Sequence, residues 1–291
     1  MKEIAIIGST ASGKTALSLE IANKTNSIIL SLDSLCVYKE IEIASAKPTL
    51  EERGDIIHFG IDEVYPNEEF DVIKFIELYK KAKEYAFKND KNLIIVGGTG
   101  FYLKALIDGL SQGIETKIKL DIPQEDAYDL LYKIDKEYME KIEKNDRYRI
   151  EKAYAIYKQT SLGPTQYFQK NPKIAVAKDL KIFEILWDKE ELKNRILKRT
   201  KIMINSGIID EVIFLEKKYT REPNSMSSIG IIETLEYLDG KLTKQELEEK
   251  ISANTAKLAK RQNTFNKGQF LDKTSNIIEN LNSDIIKYFS L

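Results

Sequence analysis

Gly8-Ser9-Thr10-Ala11-Ser12-Gly13-Lys14-Thr15 constrains this chain more than any other stretch, because it matches G-x-x-x-x-G-K-[ST] in full. Such a loop works in one setting. A buried strand delivers it, a helix starts at its end, and the backbone amides between the glycines converge on phosphate oxygens at the positive end of that helix. Both flanks are present. Ile4–Ile7 is a short apolar strand, and Lys14–Asn23 carries Leu17, Leu19 and Ile21 at helical spacing. Lys14 supplies a point charge and Thr15 a hydroxyl suited to Mg2+. The loop predicts a bound diphosphate or triphosphate but does not say which. Most such loops serve ATP or GTP, with an acidic residue at the end of a neighbouring strand holding the metal. Here the third apolar strand, Asn92–Val96, ends in Gly97-Gly98-Thr99-Gly100 with no acid, although Asp33 after the second strand can take that place. Kinase and non-kinase readings both stay open.

The rest of the first third alternates strand and helix patterns: Ser27–Leu32 as strand, Val72–Ala86 as helix, with Ile182–Trp187 as a later strand of the same sheet. Alternation of this kind predicts an α/β fold, a P-loop NTPase-like three-layer core with a parallel sheet. Between about Gly113 and Thr165 the pattern becomes helical. Leu130, Ile134, Tyr138 and Ile142 keep helical spacing, as do Ile150, Tyr154 and Tyr157 after Asn145-Asp146, until Gly163-Pro164 stops the run. We read a small all-helical insert over 113–167, with 1–112 and 168–291 forming the catalytic core. Glu190 to Lys267 reads as helices broken at Gly207 and around Pro223–Gly230.

Composition narrows the function classes. Cys36 and His58 are the only Cys and His, which excludes a disulfide framework and the usual Cys/His zinc site. The lone cysteine, the lack of a long apolar run and an N-terminus that enters a strand directly predict a cytoplasmic protein. Net charge is −1, yet Leu192–Ser206 and Lys250–Gln269 hold Lys and Arg without a single acid. Such stripes are either solvated helix faces or local contacts for phosphates.

Further motifs carry a resemblance. Ser31-Leu32-Asp33-Ser34 through Tyr38, followed by Ala44-Ser45-Ala46-Lys47-Pro48, resembles the D-S-x-x-[VI]-Y … G-T-A-K-P segment of tRNA dimethylallyltransferases. His58 to Asp62 resembles that family's H-H-L-I-D, and Val96 to Leu106 its G-G-T-G-L-Y-x-x-A-L. Ile134-Asp135 with Asn145-Asp146 and Arg149, then Arg195, Arg199, Met203, Gly207 and Glu211, then Gly230 with Glu233, Thr255 and Lys260 to Thr264, complete the order. The departures are Ala44-Ser45 for Gly-Thr, Ile57 for the first His, Ile231 for Tyr, Phe265 for Trp, Lys152 for Arg, and a shorter insert.

The resemblance implies transfer of a dimethylallyl group from dimethylallyl diphosphate to the N6 amine of an adenosine in tRNA, at position 37 next to the anticodon. It implies diphosphate held by Gly8 to Thr15 with Mg2+ on Thr15, and catalysis by Asp33, Thr99 and Arg199. Asp33 would take a proton from the amine, and Thr99 would hydrogen-bond the bridging oxygen. It implies tRNA contacts from Asp33, Ser34, Leu35, Cys36, Arg149, Lys152, Lys257, Lys260 and Arg261 to an anticodon stem-loop; we expect a monomer. A stacked adenine cannot react, so the base would be extruded into the pocket. By chemistry alone the alternatives are a cap or turn role for Thr99 and a metal ligand or helix cap for Asp33, while Cys36 and His58 fit packing roles. Competing functions are a small-molecule kinase, an RNA-binding ATPase switch, and prenyl transfer onto free AMP or ADP.

Overall fold

The computed structural model describes residues 1–111 and 119–290. In chain order the elements of the N-terminal part are β1 (Glu3–Ile7), α1 (Lys14–Lys24), β2 (Ser27–Ser31), α2 (Leu50–Arg53), β3 (His58–Phe59), α3 (Val72–Lys88), β4 (Asn92–Gly97) and α4 (Gly100–Asp108). Four short helices follow: α5 (Gln124–Ile134), α6 (Lys136–Met139), α7 (Arg147–Thr160) and α8 (Pro164–Lys170). The chain closes with β5 (Lys181–Ile185), α9 (Lys189–Asn205), α10 (Ile208–Tyr219), α11 (Ile231–Leu238), α12 (Lys244–Gln269), β6 (Thr274–Asn276) and α13 (Ile278–Ser290).

The six strands form one parallel sheet in the order β3-β2-β4-β1-β5-β6. The fold is therefore α/β with a parallel sheet, as the strand–helix alternation predicts. Successive residues of a strand face opposite sides. Ile4, Ile6, Ile29, Ile94, Val96, Phe183 and Ile185 meet Leu17, Ile21, Leu281 and Ile285 of α1 and α13 in one core. The alternate residues Ala5, Ile28, Leu30, Leu93 and Ile95 are fully buried too, and α3 packs on β2 and β4. Burial on both faces explains why these strands read as continuous apolar runs. β3 and β6 escaped the sequence reading, being two and three residues long, and β6 is polar throughout.

The described chain divides into two compact units, one of residues 1–104 with 177–291 and one of 105–176. The expected start of the insert at Gly113 lies outside the described residues. In the second unit the Val176 N–H donates to the Leu106 carbonyl at 2.9 Å. Its core is built from Tyr128, Leu131, Met139, Ile142, Ile150 and Tyr154. The single helical run suggested by Leu130, Ile134, Tyr138 and Ile142 is broken at Asp135. That buried carboxylate caps α6 through the Tyr138 N–H at 3.1 Å and accepts from the N–H and hydroxyl of Thr165 at 2.6 and 3.0 Å. A Cβ on Gly163 would stand 2.9 Å from the Asp135 side chain, so the start of α8 approaches too closely for a larger residue.

Candidate active site

The phosphate loop leaves the C-terminal end of β1, between β4 and β5, where chain connections run to opposite sides of the sheet and ligands of α/β folds bind. Gly13 caps α1 with φ +88°, a left-handed conformation that a side chain resists. Two residues of α9 and its approach brace the loop from outside. Arg195 Nε donates to the Ala11 carbonyl at 2.7 Å, its guanidinium stacks 4.4 Å from the Trp187 ring, and Trp187 Nε1 donates to the Ser12 carbonyl at 2.8 Å. One turn further along α9, Arg199 donates to Thr10 Oγ1 at 3.4 Å. The first basic stripe is thus divided: Arg195 and Arg199 serve the loop, while Lys193, Lys198 and Lys201 are exposed.

β2 and β4 end beside the loop and deliver the other reactive groups. Asp33 Oδ1 accepts from the backbone N–H of Leu35 at 2.8 Å and of Cys36 at 3.3 Å. This closes an Asx-type turn, not the helix cap weighed from sequence, since no helix starts there. It fixes the carboxylate's direction, while Oδ2 accepts no hydrogen bond among the described residues. Thr99 Oγ1 accepts from the Ser34 N–H at 3.2 Å, and its own N–H donates to the Leu32 carbonyl at 3.1 Å. With a lone pair of the hydroxyl occupied by Ser34, the O–H remains to donate.

Two adjoining cavities share Thr10, Asp33, Ser45, Gly98, Arg199 and Gln262. The smaller, about 110 Å3, reaches Lys14, Thr15, Lys47 and His58 beneath the loop. The larger, about 410 Å3, opens past Ser34, Leu35 and Thr99 towards Ser228, Ile229 and Thr255. Asp33 and Arg199 face both, so a group in one can meet a group in the other there.

The electrostatics favour an anion. Burial lowers the Lys14 pKa to about 8, an effect that Asp33 opposes and the nearby Arg199 reinforces. Burial likewise lowers Arg199, against the pull of Asp33. Two desolvated cations therefore face one carboxylate, and a diphosphate supplies the matching charge. Lys14 Nζ itself donates to the Ser9 carbonyl at 2.6 Å. Lys47, though buried at the cavity wall, is matched: it pairs with Glu42 at 2.8 Å and with Asp62, and donates to the Tyr38 carbonyl at 3.2 Å. Cys36 is buried in the wall of the smaller cavity, and that burial raises its thiol well above its ordinary value. His58 Nδ1 lies 2.8 Å from the Ile56 carbonyl, a structural role for the single histidine.

Several site residues were missed from sequence. Glu211 accepts from the N–H groups of Glu42, Ile43 and Ala44 at 2.8, 2.7 and 2.9 Å, holding the loop that brings Ser45 and Lys47 to the cavity. Gln262 reaches both the phosphate loop and the end of β4. The signal for Gln262 lay in α12, where Thr255, Leu258 and Gln262 recur at helical spacing and line the cavities, but the cations beside them drew the reading outward. Those cations, Lys257, Lys260 and Arg261, are exposed. Within the second unit Arg149 is exposed and pairs with Asp146 at 3.4 Å, and Lys152 stands 5.3 Å from the Tyr148 ring centre.

An acidic metal ligand at the end of a strand beside β1, as kinases use, is not formed. β4 ends in glycine, and Glu184 near the end of β5 is buried against Lys273 at 3.3 Å and the Ser275 hydroxyl at 3.2 Å. Among the described residues no three His, Cys, Asp or Glu gather as a metal cluster. No described helix is long and apolar enough to cross a membrane.

Comparison with known proteins supplies the family. The family model described as IPP transferase matches residues 36–269. A tRNA dimethylallyltransferase of Aliarcobacter butzleri is 82% identical over 291 residues, covering the whole of both chains. Another from Sulfurimonas denitrificans is 52% identical over 98% of each chain. Among solved structures, a tRNA delta(2)-isopentenylpyrophosphate transferase of Staphylococcus epidermidis superposes with a TM-score of 0.73 at 29% identity, over 100% of this chain and 99% of that one. A eukaryotic dimethylallyltransferase acting on tRNA gives a TM-score of 0.81 at 28% identity, over 96% of this chain and 74% of that one.

Proposed function

The chain belongs to the IPP transferase family, and from that premise we propose that it moves the dimethylallyl group of dimethylallyl diphosphate onto the N6 amine of adenosine 37 in tRNA, releasing diphosphate. The observation that carries the reading is the convergence of Asp33, Thr99, Arg199 and the phosphate loop on two cavities that meet at Asp33 and Arg199. A donor under the loop and an acceptor entering past Ser34 and Leu35 would meet there, with Cys36, in the wall of the smaller cavity, proposed to frame the base.

The chemistry follows from the groups. The bond between the prenyl carbon and the bridging oxygen breaks, and negative charge accumulates on the diphosphate. Backbone amides of residues 8–15, Lys14 and Arg199 stabilise that charge in a desolvated setting. The Thr99 O–H donates to the bridging oxygen. The carbon forms its new bond to N6, and the amine's proton passes to Asp33 Oδ2. A donor set of one threonine hydroxyl and the ligand's own phosphate oxygens fits Mg2+, which prefers oxygen and seldom takes an all-protein cage. Thr15 would hold the ion, which supplies charge neutralisation to the leaving diphosphate. Lys257, Lys260, Arg261, Arg149 and Lys152 are the proposed contacts to the anticodon stem-loop. The 105–176 unit is the proposed tRNA-contacting insert, spanning 113–167 in the sequence reading. We place the reaction in the cytoplasm and in a monomer, since one chain supplies every proposed donor-site group.

Incubation with labelled dimethylallyl diphosphate and tRNA, AMP, ADP or ATP tests the assignment. Label is expected on tRNA alone. Label on free AMP or ADP would make the chain a nucleotide prenyltransferase, and ATP turnover without labelled product would make it a kinase or ATPase.

A further inference from the structure

Gln262 projects from α12 into the gap between the phosphate loop and the end of β4. Its Oε1 accepts from the Thr10 N–H at 2.7 Å, and its Nε2 donates to the Gly98 carbonyl at 3.0 Å. One amide thus ties the second variable residue of the loop, Thr10, to the residue before Thr99. The contact is close enough to dictate its neighbour: a Cβ on Gly98 would lie 2.3 Å from Gln262 Nε2, and no other residue's atom stands among its nearest contacts. Thr10 is held on a second side by Arg199. Gln262 also lines both cavities.

Both tethered ends act on one small ligand. In the prenyl-transfer reading, on which this inference rests, the loop grips the diphosphate while Thr99 donates to the oxygen that joins diphosphate to the prenyl carbon. The separation between loop and Thr99 must then match that ligand, and a displacement of about 1 Å in such a constellation costs on the order of 10²-fold in rate. We propose that Gln262 is a positioning residue of the donor site, setting the phosphate loop and Thr99 at the spacing that bond cleavage requires. A planar amide suits this, since it offers an acceptor and a donor to two backbones on opposite sides.

The test uses the full chain, with dimethylallyl diphosphate and tRNA both saturating and transfer measured in a single turnover. Gln262→Met removes both hydrogen bonds at similar size, and a fall in the transfer rate of about 10- to 100-fold is expected. The affinity for tRNA and the melting temperature should stay near those of the unaltered protein. Gly98→Ala, which pushes the amide aside without deleting it, should slow transfer similarly. Because the atoms nearest a Cβ at Gly98 all belong to Gln262, Gly98→Ala should add little to the loss of single-turnover rate in a Gln262→Ala background. An unchanged single-turnover rate in Gln262→Met and Gly98→Ala overturns the proposal, as does a loss confined to tRNA affinity, which would make Gln262 an RNA contact. If Gln262→Met does not fold, Gly98→Ala and the double variant carry the test. The unaltered protein run alongside separates the outcomes, for its failure to label tRNA would remove the underlying function instead.

Discussion

Asp33 shows how much one side chain's surroundings decide. Its Oδ1 is committed to two backbone N–H groups, and its Oδ2 is the oxygen proposed to take the proton of the substrate amine. Asp33→Asn keeps the capping oxygen but loses basicity, so substrate affinities should hold while transfer slows by at least about 10². An unchanged rate at saturation would remove Asp33 from proton transfer. Lys14 gives a pH signature. Its pKa of about 8 in the folded protein lies below the ordinary lysine value, so between about 8 and that value the unfolded chain holds the proton that the native state has shed. Stability contributed by this group therefore rises with pH across that window, the reverse of a lysine that gains a partner. Bound diphosphate favours the charged form. Above pH 8 its binding should take up a proton and weaken as pH rises. Calorimetry in buffers of differing ionisation enthalpy reads the uptake, which Lys14→Ala should abolish.

At the scale of elements, α12 has two working faces. Leu258 and Gln262 turn inward to the cavities, while Lys257, Lys260 and Arg261 are exposed. Lys257→Ala with Arg261→Ala should weaken tRNA binding and reduce its salt dependence by up to about one slope unit per lost phosphate contact, sparing diphosphate affinity. An unaltered salt slope would return that face to ordinary solvated surface. The C-terminal end of α12 is fastened by Lys273, which donates to the Asn266 carbonyl at 2.8 Å and pairs with buried Glu184. Lys273→Ala leaves that carboxylate buried and unpaired, so a loss of about 3 kcal/mol in denaturant unfolding is expected. Replacing both partners by apolar residues should cost less. Equal costs for the single and double changes would show that the pair contributes nothing through its charge.

At the scale of the whole molecule, the proposed donor site draws on β1, β2, β4, α9 and α12 together, so a ligand there would stabilise the unit as one. With Mg2+, dimethylallyl diphosphate at 100 times its dissociation constant should stabilise the native state by about 2.7 kcal/mol, seen as a melting temperature raised by several degrees. ATP should compete weakly at best and should not be hydrolysed. Steady ATP hydrolysis that is lost in Lys14→Ala and indifferent to dimethylallyl diphosphate would reverse the assignment.

The parallel sheet and the phosphate loop were legible in sequence because both are local. Two-face burial makes β1, β2 and β4 apolar without interruption, and the loop needs its glycines and lysine at set spacing whatever surrounds them. The ordered motifs likewise identified the family and pointed to Asp33, Thr99 and Arg199. What sequence could not show was which contacts those residues make, because the contacts join segments far apart in the chain. Gly98 read as a strand terminator, yet it is glycine because Gln262, 164 residues away, fills the space where a Cβ would stand. Arg195 read as one charge in a stripe, yet it braces the loop at Ala11. Glu211 read as a motif letter, yet it holds three amides of a cavity wall. Local periodicity and turn chemistry determined the elements and the loop. Only packing decided the distances between them, since a hydrogen bond between remote segments leaves no spacing in the sequence to read.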